Sequence, residues 1–174
     1  MKIYLAGPLF SPAQRDFLDA CALRLRDAGF DCFVPHQESG RLDSISARSI
    51  SARSVFDLDY REGIEKANAL VAWLDGPAVD DGTACEIGIY FGLLQQRVAW
   101  RKGILGLVTD LRLQRRRDSL EHGGLNLFLA GTIENAGAVC WSLDEVFARL
   151  LAWRNELEKD NGLSSAAPTR PTTR

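Results

Sequence analysis

The chain predicts a single α/β domain of three layers, α/β/α, with helices covering both faces of a five-stranded parallel sheet. Short apolar runs at 2–6, 30–34, 70–74, 103–108 and 138–141 have the character of strands buried on both faces. Helical patterns alternate with them, as parallel crossovers require. The first run ends in Gly7-Pro8 and passes directly into a helical pattern, which is how a doubly wound sheet opens. The expectation is a flavodoxin-like or Rossmann-like layer with strand order 2-1-3-4-5.

Each element has its own signal. The helix expected over 11–28 presents Phe17, Leu18, Cys21, Leu25 and Ala28 at helical spacing, and Gly29 stops it. Strand two follows, closed by Pro35. Residues 36–53 lack periodicity, and SISARSISAR (44–53) is a tandem five-residue duplication, too short for a repeat architecture. It reads as a loop over the active edge or as the start of the next helix. The segment 57–92 then reads as helix, buried strand, acidic loop and helix. Beyond strand four, the arginines at 112, 115, 116 and 117 form a basic run read as a solvated loop. Residues 125–129 (LNLFL) read as an apolar turn carrying one amide. After strand five, Ser142 is placed to cap a final amphipathic helix, with Glu145 completing a capping box. The domain is expected to span 1–158, with a disordered, Ser/Pro/Thr/Arg-rich tail over 159–174.

Composition excludes several classes of function. A hydrophobic fraction of 46% and a charged fraction of 25% are those of an ordinary globular domain. The net charge of −2 gives no footprint for nucleic acid or an anionic membrane, and no apolar run approaches a membrane span. The four cysteines are scattered without a CxxC pair and read as reduced core thiols of a cytoplasmic protein. No cofactor or metal is expected: GPLFSP is neither a dinucleotide nor a triphosphate loop, and His36 and His122 lack ligand spacing and read as surface residues.

The chemistry concentrates in 57–92. Asp75, Asp80 and Glu86 follow strand three, at the carboxyl edge where open α/β sheets bind ligands. Acidic residues in a helix's first turn and Asp-Gly pairs also have plain structural uses. Asp81 or Thr83 would cap the helix, with Glu86 in its first turn. The small residues Gly82 and Ala84 leave access to the Glu86 carboxylate. Gly88 and Gly92 cost helix propensity and suggest that another backbone packs closely there. Cys85, beside Glu86, is a weaker candidate nucleophile, with no histidine near it in sequence.

Four segments in order, IYLAGPLF, DLDYREGIEKANALVAWLDG, VDDGTACEIG and LNLF, resemble the nucleoside 2-deoxyribosyltransferase family across about residues 2–150. The resemblance implies transfer of a deoxyribosyl group from a 2-deoxynucleoside to a free nucleobase through a covalent glutamyl intermediate. It implies Glu86 as nucleophile, Tyr4 orienting it, and Asp80 assisting protonation of the leaving base. Asp59 is the implied partner of Asp80, with Asp57 as rival. Gly7 lies where backbone meets substrate, and Asn126 is supplied to a neighbouring subunit's site in a dimer or hexamer. The chain departs from the family at Gln95–Val98 and the following WRKG, where a Gly-Lys-Pro-like turn is usual. Two rival readings stand beside it: a hydrolase of deoxynucleoside 5′-monophosphates using the same Glu86, with Ser11 and Arg15 on the phosphate, and a non-catalytic nucleotide-binding domain.

Overall fold

The computed structural model describes residues 1–38, 51–118 and 121–165, with side chains of the last helix described through residue 160. The elements are β1 (Lys2–Ala6), α1 (Pro12–Asp27), β2 (Asp31–Phe33), α2 (Ala52–Leu58), β3 (Ala69–Trp73), α3 (Asp81–Leu94), β4 (Gly103–Leu107), α4 (Leu111–Arg116), α5 (Leu127–Ala136), β5 (Gly137–Cys140) and α6 (Leu143–Ser165). A wide π-helical turn (Asp59–Gly63) and a 3-10 turn (Ile64–Lys66) link α2 to β3. The five strands form one parallel sheet in the order β2-β1-β3-β4-β5, as the alternating pattern predicts.

Strand alternation divides the core in two. Tyr4, Ala6, Leu70, Ala72 and Ile104 face one side, where they meet Ile87 and Tyr90 of α3 and Ala130 and Ile133 of α5. Ile3, Leu5, Val71, Leu105 and Leu107 face the other, against Leu18, Cys21 and Leu25 of α1 and Val146 and Leu150 of α6. Covering both faces is why the central strands read as continuous apolar runs rather than as alternations. Helix α1 starts with a capping box between Ser11 and Gln14 and with Pro12 in its first turn.

Several expectations are corrected. The apolar turn at LNLFL is the start of a helix: Asn126 caps α5, its Oδ1 accepting from the Leu129 N–H at 3.1 Å. A five-residue apolar window hides a helix start when its cap is an asparagine within the run. The basic run is a short exposed helix, α4, capped by Asp110. Among the described residues, Gly88 and Gly92 meet nothing outside their own helix within 4 Å of an added Cβ, so no described backbone packs on them. Cys85 is exposed, unlike the buried Cys21, Cys32 and Cys140. The His36 and His122 side chains are mostly buried, at 12% and 17% exposure, His36 against Asp19 and His122 near Glu134.

Ser142 caps α6 as expected, accepting from the Glu145 N–H, but Glu145 reaches one residue further back, to the Trp141 N–H. The backbone of α6 runs helical past position 158 to Ser165. Most of the SISAR duplication (44–50) lies outside the described residues; its last three residues cap and open α2. Residues 166–174 of the expected tail also lie outside them. Among the described residues, no helix is long and apolar enough to cross a membrane.

Candidate active site

A cavity of about 330 Å³ opens at the carboxyl edge of the sheet, where Gly7 follows β1 and Asp80 precedes α3. Tyr4 projects from β1 toward α3, fully buried, its ring stacked on Phe33 with centroids 5.5 Å apart. Its hydroxyl donates to Glu86 Oε1 at 2.5 Å. Glu86 lies in the second turn of α3, not the first, because the helix begins at Asp81 with Asp80 as its cap. The dipole preference for first-turn acids therefore does not account for it.

Burial pushes the Glu86 carboxyl up to about 7; the Tyr4 hydrogen bond opposes this, while the charges of Asp59 and Asp80 add to it. Asp59, in the π-helical turn, lines the same cavity, and burial, with the charge of Glu38, raises it to about 6. Burial first, then the charge of Glu86, pushes the Tyr4 phenol well above its ordinary range, so it stays a donor. Asp80 also lines the cavity, and its Oδ2 accepts from Thr83 N–H and Oγ1 at 2.9 and 3.0 Å. One of its oxygens is thus committed to the helix cap, the structural use that the sequence also allowed.

The structure brings Gly7, Asp59, Asp80 and Glu86 to one cavity, with Tyr4 buried behind it and joined to Glu86 by its hydroxyl. The rival Asp57 turns away, held on the surface by Arg53 at 2.8 Å and Arg61 at 3.2 Å. Asp75 is also absent from the cavity: it accepts from Thr109 N–H at 2.7 Å and Oγ1 at 2.5 Å, tying the end of β3 to the end of β4. Gly7 lines the cavity, but the crowding there comes from below. An added Cβ would lie 3.0 Å from Leu18 Cδ2 and 3.2 Å from Trp73 Cβ. Asn126 does not reach Glu86 within the chain. It lines a second groove of about 390 Å³ with Ala84, Ile87, Gly88 and Phe128.

The residues that sequence reasoning missed are mainly apolar. Phe10, 74% exposed, and the stacked pair Phe56 and Tyr60 (5.4 Å, 5° between planes) give the cavity flat aromatic walls. An exposed phenylalanine directly after Gly-Pro-Leu was the available signal. Cys85 lines the cavity too. Among the described residues, no lysine, arginine or histidine lines it, and no group of three metal-ligating side chains is placed to hold an ion. Arg15, offered by the hydrolase reading, donates instead to the Leu9 carbonyl at 2.9 Å, and Ser11 is occupied as the α1 cap. The arrangement therefore offers one half-buried carboxylate held by a phenol, a second carboxyl raised by burial, and aromatic surface for a flat group.

The family model described as nucleoside 2-deoxyribosyltransferase matches residues 3–135. An uncharacterized protein of Ureaplasma parvum serovar 3 is 32% identical over 141 residues, covering 76% of this chain and 83% of its own length. Among solved structures, a conserved protein from Enterococcus faecalis V583 superposes with a TM-score of 0.62 at 26% identity, covering 84% of this chain and 94% of that one. A 2-deoxyribosyltransferase from Bacillus psychrosaccharolyticus superposes with a TM-score of 0.59 at 24% identity, covering 84% and 90%; that likeness bears on the fold.

Proposed function

The chain belongs to the nucleoside 2-deoxyribosyltransferase family, and from that premise we propose that it moves a 2-deoxyribosyl group between nucleobases with retention of configuration. The observation that carries the reading is the Glu86 carboxylate, held by Tyr4 at 2.5 Å inside a cavity shared with Asp59 and Asp80. Glu86 attacks the anomeric carbon through Oε2, since Oε1 is engaged by the phenol. The bond from that carbon to the base nitrogen breaks, and its electron pair leaves with the base, which takes a proton from Asp59. An acceptor base then attacks the same carbon, the ester to Glu86 breaks, and the acceptor's N–H proton returns to Asp59. Two inversions give retention, and the oxocarbenium-like transition states suit a neighbouring anion.

Asp59 takes the proton-carrying role because burial raises it to about 6, so it holds a proton far better near neutrality than an ordinary aspartate. Asp80, with one oxygen in the helix cap, orients the base. A cytoplasmic location suits four cysteines that all stand as free thiols.

The test is chromatographic. Purified protein given deoxyinosine and adenine should form deoxyadenosine, and only when adenine is present. Base released from deoxynucleoside 5′-monophosphates without exchange would replace the transferase by the hydrolase; no turnover on any substrate would favour the binding domain. Asp57→Asn should leave exchange within about twofold of wild type, because Asp57 faces solvent between two arginines. A loss as large as that of Asp59→Asn would show that the assignment between the two is wrong.

We further propose a homo-oligomer with shared sites. Phe128, 87% exposed, lines one apolar groove with Ala84, Ile87, Gly88 and Asn126, a surface that a second copy would cover. Asn126 lies on that surface, where it is available to a neighbour's cavity. Phe128→Glu should shift the protein toward monomer in light-scattering chromatography and lower exchange in parallel. Asn126→Ser keeps a capping side chain on α5 but removes the amide, so a lower rate at unchanged stability would identify the amide as the loss.

A further inference from the structure

Tyr4 can hold Glu86 only if its ring lies deep against the turn that precedes β3. That turn contains Gly63, which is buried. A Cβ added at Gly63 would lie 2.6 Å from Tyr4 Cε2, 2.7 Å from Tyr4 Cδ2 and 2.9 Å from Phe33 Cδ1. Carbon atoms in good contact are about 3.5–4.0 Å apart, so the intrusion approaches an ångström. The backbone does not itself call for glycine here, since φ is −96°. What position 63 needs is space. The Tyr4 ring cannot yield cheaply, being fully buried and stacked on Phe33.

The same turn carries Asp59, four residues earlier and therefore on the same helical face. It is wound wide: the Ile64 N–H donates to the Asp59 carbonyl five residues back as well as to Tyr60. Such π-helical turns recur at functional sites. One turn thus sets two parts of the cavity, the Asp59 carboxyl and the seat of the tyrosine ring. We propose that Gly63 is a positioning residue for the nucleophile, its absent side chain being what lets the Tyr4 hydroxyl reach Glu86. The catalytic weight of that contact rests on Glu86 being the nucleophile; the positioning itself does not.

The experiment follows the Glu86 carboxyl by carbon-13 NMR across pH in the full chain, its resonance assigned with Glu86→Gln. Among the described residues, the titratable groups around it are Tyr4 from β1, Asp59 and Tyr60 from the turn, Asp80 from the α3 cap and Cys85 on the same helix, with Glu38 acting on Asp59. Tyr4→Phe removes the hydrogen bond that favours the ionised form, so the midpoint should rise by about half to one pH unit. Gly63→Ala should raise it by a similar amount, and the double variant should rise no further. In exchange assays Gly63→Ala should lower kcat about tenfold while KM stays within about threefold.

An unmoved midpoint in folded Gly63→Ala, or fully additive shifts, would overturn the proposal. If Gly63→Ala fails to fold, Tyr4→Leu in the same chain decides. Recovery of folding shows that the conflict is with the tyrosine ring, and continued unfolding shows that glycine is needed for another reason. No substrate enters the titration, so absence of base exchange in the wild type would defeat the functional reading and leave this result to stand or fall alone.

Discussion

Replacing Glu86 by glutamine is expected to remove base exchange, by about 10⁴-fold or more, while the protein stays folded. The amide matches the carboxylate in shape and can still accept from Tyr4, but it cannot form the ester to the anomeric carbon. Stability should move the opposite way. The folded-state Glu86 sits at about 7, above its unfolded value near 4.5, so the folded protein holds this proton more tightly. The stabilisation this gives is complete below about pH 4.5 and is lost as pH rises through 7. At pH 8 the wild type carries a half-buried carboxylate at a cost of roughly 1–3 kcal/mol, and glutamine is free of it. The variant should therefore gain in Tm relative to wild type between pH 5 and 8. Exchange within tenfold of wild type would remove Glu86 as nucleophile; a Tm difference flat with pH would mean that its carboxyl is not raised.

The sheet was legible because its signals are local. Strands buried on both faces must be apolar throughout, and Gly-Pro and Asp-Gly-Pro breaks end β1 and β3 whatever the tertiary surroundings. The site was legible only in part. Tyr4, Asp59, Asp80 and Glu86 came together through motif resemblance, since their meeting depends on β1 and β3 pairing in register, which composition does not encode. Asp57 and Asp59 could not be separated in sequence: two residues apart on one helical segment, they point to different faces, and the π-helical turn decides which one enters the cavity. Asp75 misled because a carboxylate at a strand end serves equally to staple β3 to β4 through Thr109. Gly63 and Phe56 were invisible, because their importance lies in the shape of the space between elements. Gly88 and Gly92 misled because helix-interior glycine suggests a close backbone neighbour, whereas nothing among the described residues fills the space beside them.

Asp59→Asn should lower exchange with ordinary nucleosides by about 10²–10⁴-fold, the range expected for loss of a general acid. The pH profile should change in a way that separates this role from mere packing. Glu86 at about 7 and Asp59 at about 6 lie close together, and the charge of Asp59 adds to the rise of Glu86, so they are treated as a coupled pair. The first displacement needs one proton on the pair, on the aspartate. Wild-type activity should thus be bell-shaped around pH 6–7, falling on the acid side as the pair takes up its second proton and on the alkaline side as its last proton leaves, with the reactive form being the minor tautomer that carries the single proton on Asp59. Burial still raises Glu86, but asparagine removes one of the two charges that add to that rise, so the acid limb should move to lower pH. It also removes the proton donor, so the alkaline limb should flatten at a low rate. A p-nitrophenyl 2-deoxyriboside makes the distinction sharp, because its leaving phenolate departs without a proton. If Asp59 supplies that proton, the loss on this substrate should shrink to about tenfold or less. Equal losses on both substrates would make Asp59 a positioning group and return the proton to Asp80, whose Asp80→Asn variant would then be the one rescued by the activated leaving group.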